Sequence, residues 1–175
     1  MERLGKFAEA RAKVLADVER LVATVRRVAA TPYSSVEDGI AVLKELRTET
    51  SEDLNQIQHE FMIVCAAEWL INQKRCSSDT LWSWNPRQTG PADEPDLRGE
   101  LNGGIVLSAE ITTSTKPQGV IDSRMRQTLE KLSGMAGQRY YFTASATMCQ
   151  RAGTKITKAG WKIEAVHLPA AARAL

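Results

Sequence analysis

The stretch from Pro95 to Thr115, PDLRGELNGGIVLSAEITTST, constrains the fold of this chain more than any other. Asn102-Gly103-Gly104 lies between two short runs, and Asn-Gly or Gly-Gly pairs accept the positive φ that a tight hairpin turn demands. The run after the turn, Ile105-Val106-Leu107, is apolar and leads to a lone carboxylate, Glu110. A hairpin here brings Asp96, at the start of one strand, near Glu110, at the end of the next. Two carboxylates so placed, flanked by backbone carbonyls, suit a hard divalent cation such as Mg²⁺. Two solvated strand-end acids would show the same spacing, so the pair alone leaves both readings open.

The flanking segments predict what the hairpin packs against. Residues 2–30 read as one long helix, with Phe7, Val14, Val18, Leu21, Val25 and Val28 recurring at threes and fours and Arg11 interrupting the seam. Such a seam packs on the chain's own next helix or on a partner copy. Ser34-x-x-Glu37 is a capping box that opens a short helix carrying Val36, Ile40, Leu43 and Leu46. Thr50-x-x-Asp53 resembles a second start signal, for a helix running to about Arg75. Its middle, FMIVCAAEWLI, is apolar almost all round and should therefore be central. Thr80, Trp82 and Trp84 alternate as in a strand, and the two tryptophans share a face for packing on a helix or, alternatively, for stacking on bases. Residues 86–95 form a Pro/Gly-rich loop.

After the hairpin, Ile121, Met125, Leu129 and Leu132 mark a helix over 120–135, whose other side presents Arg124, Gln127 and Lys131. A strand follows over 139–145, then a helix over 147–158 with Arg151, Lys155 and Lys158 on one face, then a strand over 161–168 and an alanine-rich tail. Strands separated by helices imply a parallel portion of the sheet. The fold class is therefore α/β, with residues 1–50 as an N-terminal helical extension for packing or dimerisation and residues 51–175 as the core.

Charge is unevenly distributed. Residues 1–50 carry 9 Lys/Arg against 8 Asp/Glu, residues 51–113 carry 4 against 10, and residues 114–175 carry 10 against 3. An acidic middle beside a basic C-terminal third suits a metal-dependent enzyme acting on a polyanion, although surface charge also segregates by chance. No apolar run approaches the roughly 20 residues of a membrane span. The amphipathic, acid-containing start is unlike a secretory signal. Cys65, Cys76 and Cys149 have no zinc-ligand spacing, and an odd count without a signal points to reduced thiols in a cytoplasm. His59 and His167 lack metal-partner spacing and read as structural. No local signature of Ser/His/Asp or Cys/His catalysis occurs.

Pro95-Asp96 followed by Glu110-Ile111-Thr112 resembles the motif of the PD-(D/E)XK nuclease superfamily, the type II restriction endonucleases and their relatives: Pro-Asp, a spacer, then Asp/Glu-x-Lys. The resemblance covers about residues 51–168, where the element order matches the family's α-β-β-β-α-β core, a mixed sheet flanked by helices. The match departs at Thr112, which stands where the family has lysine. The resemblance implies a Mg²⁺-dependent DNA endonuclease, with Mn²⁺ as a substitute, acting on DNA as a homodimer.

It also implies that Asp96, Glu110 and the carbonyl of Ile111 ligate the metal. Glu60, leading into Phe61-Met62-Ile63-Val64, resembles the extra glutamate that the family takes from the helix before the sheet, better than Glu68 does. Thr112 hydrogen-bonds but carries no charge, so the missing cation comes from Lys116 or Lys131, with Arg124 and Gln127 beside the latter and Ser108 a lesser candidate. The face of Arg151, Lys155 and Lys158 would hold DNA phosphates. The competing reading is a catalytically decayed nuclease fold that only binds nucleic acid or regulates. A third makes residues 1–50 a helical pair that recruits partners.

Overall fold

The computed structural model describes residues 1–86 and 93–169. Those residues form an α/β structure on one six-stranded mixed open sheet, ordered β1 (Glu2–Arg3), β2 (Leu81–Trp84), β3 (Leu97–Leu101), β4 (Gly104–Thr112), β5 (Gln138–Thr143) and β6 (Glu164–His167). From β1 to β4 neighbours pair antiparallel, and β4, β5 and β6 pair parallel. The four helices are α1 (Phe7–Ala29), α2 (Val36–Asn72), α3 (Val120–Ser133) and α4 (Ala146–Ala159). Parallel neighbours cannot be joined by a tight turn, and α3 and α4 provide the two crossovers. Among the described residues, no helix is long and apolar enough to cross a membrane.

The expected hairpin is β3–β4. Leu101 pairs with Gly104, and Asn102 and Gly103 form the connection with φ of 52° and 79°. Positive φ at both central residues matches the twist of the flanking strands, which explains the preference for Asn-Gly there. At Gly137, φ is 76° and a Cβ would lie 2.4 Å from the backbone carbon of Val106, so only glycine lets the chain enter β5 against β4.

Two apolar layers sandwich the sheet. On one side the apolar middle of α2, including Met62, Ile63, Val64 and Leu70, packs with Leu97, Leu107, Ala109 and Phe142. On the other, Met125, Leu129 and Leu132 of α3 meet Met148, Ala152 and Ile156 of α4 over Tyr141. Trp82 and Trp84 are buried in the first layer, so they pack against protein and are not presented to bases.

Four boundaries differ from the sequence reading, each for a local reason. Glu2–Arg3 form an edge strand and not the start of α1: the following Leu4 N–H donates to the Trp82 carbonyl at 3.0 Å, and Gly5 turns the chain at φ 65°. The two expected helices over 34–46 and 50–75 are one. Ser35, and not Ser34, is the N-cap, accepting from Asp38 N–H at 3.1 Å. Thr50 does not cap; its hydroxyl donates to the Leu46 carbonyl at 2.7 Å, a bond available to a threonine inside a continuous helix. The helix therefore runs through residue 50, where the sequence divides extension from core.

The last strand begins at Glu164 and not at 161, because left-handed Gly160 closes α4 and Trp161 N–H donates back to the Ile156 carbonyl. Residues 87–92 of the expected loop and 170–175 of the tail lie outside the described residues.

Candidate functional site

Strand pairing sets the position of both acids. Leu97 pairs with Ala109, which leaves Asp96 level with Glu110, and Glu110 in turn pairs with Tyr141 of β5. The Asn85 N–H donates to the Asp96 carbonyl at 2.9 Å, fixing the entry to β3. The site thus lies at the carboxyl end of the parallel strands β4 and β5, where open α/β sheets place ligands. A cavity of about 610 Å³ opens there, lined by His59, Asp96, Glu110, Arg124, Lys131 and Tyr141 among others.

Both carboxylates are buried. Asp96 Oδ2 accepts from the Ile111 N–H at 2.8 Å and lies 3.3 Å from His59 Nε2. Glu110 Oε1 lies 2.5 Å from Lys131 Nζ, which also donates to the Glu94 carbonyl at 3.2 Å. Burial, reinforced by the Asp96 carboxylate, pushes Glu110 up to about 8, with Lys131 only partly opposing it. Burial likewise pushes the Tyr141 phenol up, while a hydrogen bond to Thr112 works against it. Two carboxyl groups therefore face one another in a desolvated place with one ammonium beside them.

The structure brings some of the expected residues together and separates others. Asp96, Glu110, Ile111, Thr112, Arg124 and Lys131 all line the cavity. Lys131 reaches it from α3, where Arg124, Thr128 and Lys131 form the lining stripe; Gln127, grouped with them from sequence, is exposed and outside the lining. Lys116 is exposed and does not line the cavity. Glu60 is buried elsewhere, 2.5 Å from Lys13 Nζ of α1, because its helical angle turns it toward α1 while its neighbour His59 turns toward the site. Ser108 donates to the Ala136 carbonyl at 2.9 Å and is also outside the lining.

The basic face of α4 is partly neutralised. Arg151 grips Asp122 at 2.8 and 3.2 Å and Lys155 reaches the same carboxylate at 3.0 Å, holding it well below the usual carboxylate range. Lys158 is exposed and makes no ion pair among the described residues.

Sequence reasoning missed His59 and the amides of Asn55, Gln56 and Asn85. The signal available was helical: Asn55, Gln56 and His59 fall on one face of α2, one turn apart, just before the apolar run that starts at Phe61. Among the described residues no group of three or more His, Cys, Asp or Glu is placed to hold a metal ion. The acids that line the cavity are Asp96, Glu110 and Glu94. Comparison with protein-family models, curated proteins and solved structures finds no match to this chain.

Proposed function

We propose that the chain is a Mg²⁺-dependent phosphodiesterase acting on DNA, built on a restriction-endonuclease-like core in which the lysine missing after Glu110 is supplied by α3. The observation that carries this reading is Lys131 Nζ at 2.5 Å from Glu110 Oε1, beside Asp96, in an open cavity at the strand ends. Phosphodiester hydrolysis needs an attacking hydroxide, neutralisation of charge on the phosphoryl oxygens, and help for the departing oxygen. Asp96, Glu110 and the Ile111 carbonyl would hold the cation, which when bound polarises phosphate and lowers the pKa of water.

The other groups have roles that follow from their placement. Lys131 presents a charge where the phosphoryl group becomes more negative, and Arg124 on the same helix stripe faces the same cavity. The Ile111 N–H fixes one Asp96 oxygen, so that carboxylate meets substrate pre-oriented. His59 holds Asp96 from the α2 side. Thr112, hydrogen-bonded to Tyr141, shapes the wall and carries no charge.

The binding-module reading relied on the basic stripe of α4, and two of its three cations already hold Asp122. Hydrolysis is therefore the better-supported reading. Incubation of the purified protein with supercoiled plasmid and Mg²⁺ should nick or linearise it, EDTA should stop the reaction, and Asp96→Asn should abolish it. Cleavage that persists in EDTA or in the Asp96 variant would refute this site.

A further inference from the structure

The cavity beside Asp96 and Glu110 has two chemically different walls. Helices α2 and α3 pack on opposite faces of the sheet and flank the cavity at the strand ends. From α3 come Arg124 and Lys131, whose charges suit a phosphate. From α2 and the end of β2 come Asn55, Gln56 and Asn85, three carboxamides without charge. A phosphate offers acceptors only, whereas a carboxamide presents a donor and an acceptor side by side. The edge of a nucleobase has the same alternation, and Asn and Gln are the side chains that pair with it through both atoms. Gln56 is the most telling of the three. It lines the cavity, and its Oε1 is buried with no hydrogen-bond partner among the described residues. A buried acceptor without a donor is costly, and a ligand that brings an N–H removes that cost.

Distance and depth then decide the form of the substrate. Gln56 lies three residues before His59, whose Nε2 is 3.3 Å from Asp96 Oδ2, so it sits about 4.5 Å along the α2 axis from the residue that touches the acid. Asn85 is tied to the same acid, its N–H donating to the Asp96 carbonyl at 2.9 Å. The amides are therefore within the reach of one nucleotide whose phosphate lies on the acids. Asp96 and Glu110 are only 6% and 5% exposed, and the amides share their cavity of about 610 Å³. In a duplex each base is stacked and its pairing edge is occupied, so it cannot set that edge on Gln56 while its own phosphate enters the cavity. A base turned out of a single strand can do both. We propose that the cavity takes one nucleotide of single-stranded DNA, its phosphate beside Lys131 and its unpaired base edge on Gln56, with Asn55 and Asn85 adjoining. The inference rests on the hydrolytic reading for the place of the phosphate and adds the strandedness of the substrate. Negative supercoiling favours strand opening, so plasmid offers such segments too.

Fluorescence anisotropy of short labelled DNA in EDTA reads binding without cleavage. A single strand should bind at least about tenfold more tightly than the duplex of the same sequence. Gln56→Leu should weaken single-strand binding by about three- to tenfold, the loss of one or two neutral hydrogen bonds. The same variant should bind a sugar–phosphate strand lacking bases as well as the parent does, which also shows that it is folded. Asn55→Ala, at an exposed position, should give a smaller loss of the same kind. Equal affinity for single strand and duplex would overturn the inference, as would a Gln56→Leu variant that loses nothing or loses as much without bases as with them. If plasmid cleavage that depends on Mg²⁺ and Asp96 persists beside such a result, the hydrolytic reading stands without this inference. If strand preference and base dependence appear but cleavage does not, the cavity holds a single strand and the hydrolytic reading falls.

Discussion

Two buried glutamates in this protein each hold a lysine ammonium at 2.5 Å, Glu60 with Lys13 and Glu110 with Lys131. Glu60 sits where α1 closes over α2, and its lysine is shared with Asp17 at 3.2 Å and lies 5.4 Å from the Trp84 ring centroid. Burial opposes the charge on Lys13, but the hydrogen bonds and charges of Glu60 and Asp17 outweigh it and its pKa is raised. That lysine has two acids; Glu110 instead has one lysine and a second carboxylate, Asp96, beside it, and is pushed up to about 8. The two pairs look alike in the contact alone. What separates them is the ratio of acids to cations on each side and the open space beside Glu110. A buried ion pair by itself therefore says little about function, whereas an excess of carboxyl groups facing a cavity points to a site.

The largest effect should come from removing the acids themselves. Glu110→Gln should slow Mg²⁺-dependent plasmid cleavage by about 10³-fold or more, on the scale of losing a preorganised electrostatic contact together with a metal donor. Glu60→Gln should leave the rate within a few-fold. Equal losses in the two variants, measured in single-turnover assays, would erase the distinction drawn here.

Next come the lysines. Lys131→Ala should lower the chemical step by about 10²–10³-fold with little change in DNA affinity, while Lys116→Ala, outside the cavity, should not. The reverse result would move the missing cation to the β4–α3 connection. Lys13→Ala should act on stability instead, costing about 3 kcal/mol because it leaves Glu60 buried beside no ammonium. Urea unfolding of the variant measures this, and an unchanged midpoint would mean that the Lys13–Glu60 contact contributes nothing to stability.

A smaller effect follows from titration. The folded pKa of Glu110 is raised, so the folded state holds this proton more tightly than the unfolded chain does. Its contribution to stability is full below the unfolded value near 4.5 and is lost as pH rises toward about 8. Without divalent cations, Glu110→Gln should accordingly be more stable than the parent at pH 9, by on the order of 2 kcal/mol. That is less than the whole shift implies, since Lys131 loses its partner, and the difference should close toward pH 5.

The smallest expected effect is on the surface. Replacing Arg151, Lys155 and Lys158 together should change the salt dependence of DNA binding by no more than about one phosphate contact, a slope near 0.9, since Asp122 already engages two of them. A loss of three contacts would mean that DNA displaces Asp122.

Local chemistry determined a large part of this protein. Asn102-Gly103 required positive φ at two successive residues, so the hairpin and the approach of Asp96 to Glu110 were legible directly. The apolar run of α2, the stripe of α3 and the alternation of elements likewise followed from periodicity, because each burial pattern is written within one segment. Other features depended on partners distant in sequence. Thr50 offers the same start signal whether its hydroxyl caps a new helix or bonds back to Leu46, and only packing of the continuous helix chose between them.

Lys116 and Lys131 were equivalent on the page. The angle at which α3 crosses the sheet turned Lys131 onto Glu110 and left Lys116 outside. His59 and Glu60 are adjacent, yet one lies on Asp96 and the other on Lys13, since about 100° of helical rotation separates neighbours. Sequence thus determined which groups were available and which strands carried them. Tertiary structure decided which of them meet, because direction in space depends on how elements dock, and no local propensity encodes it.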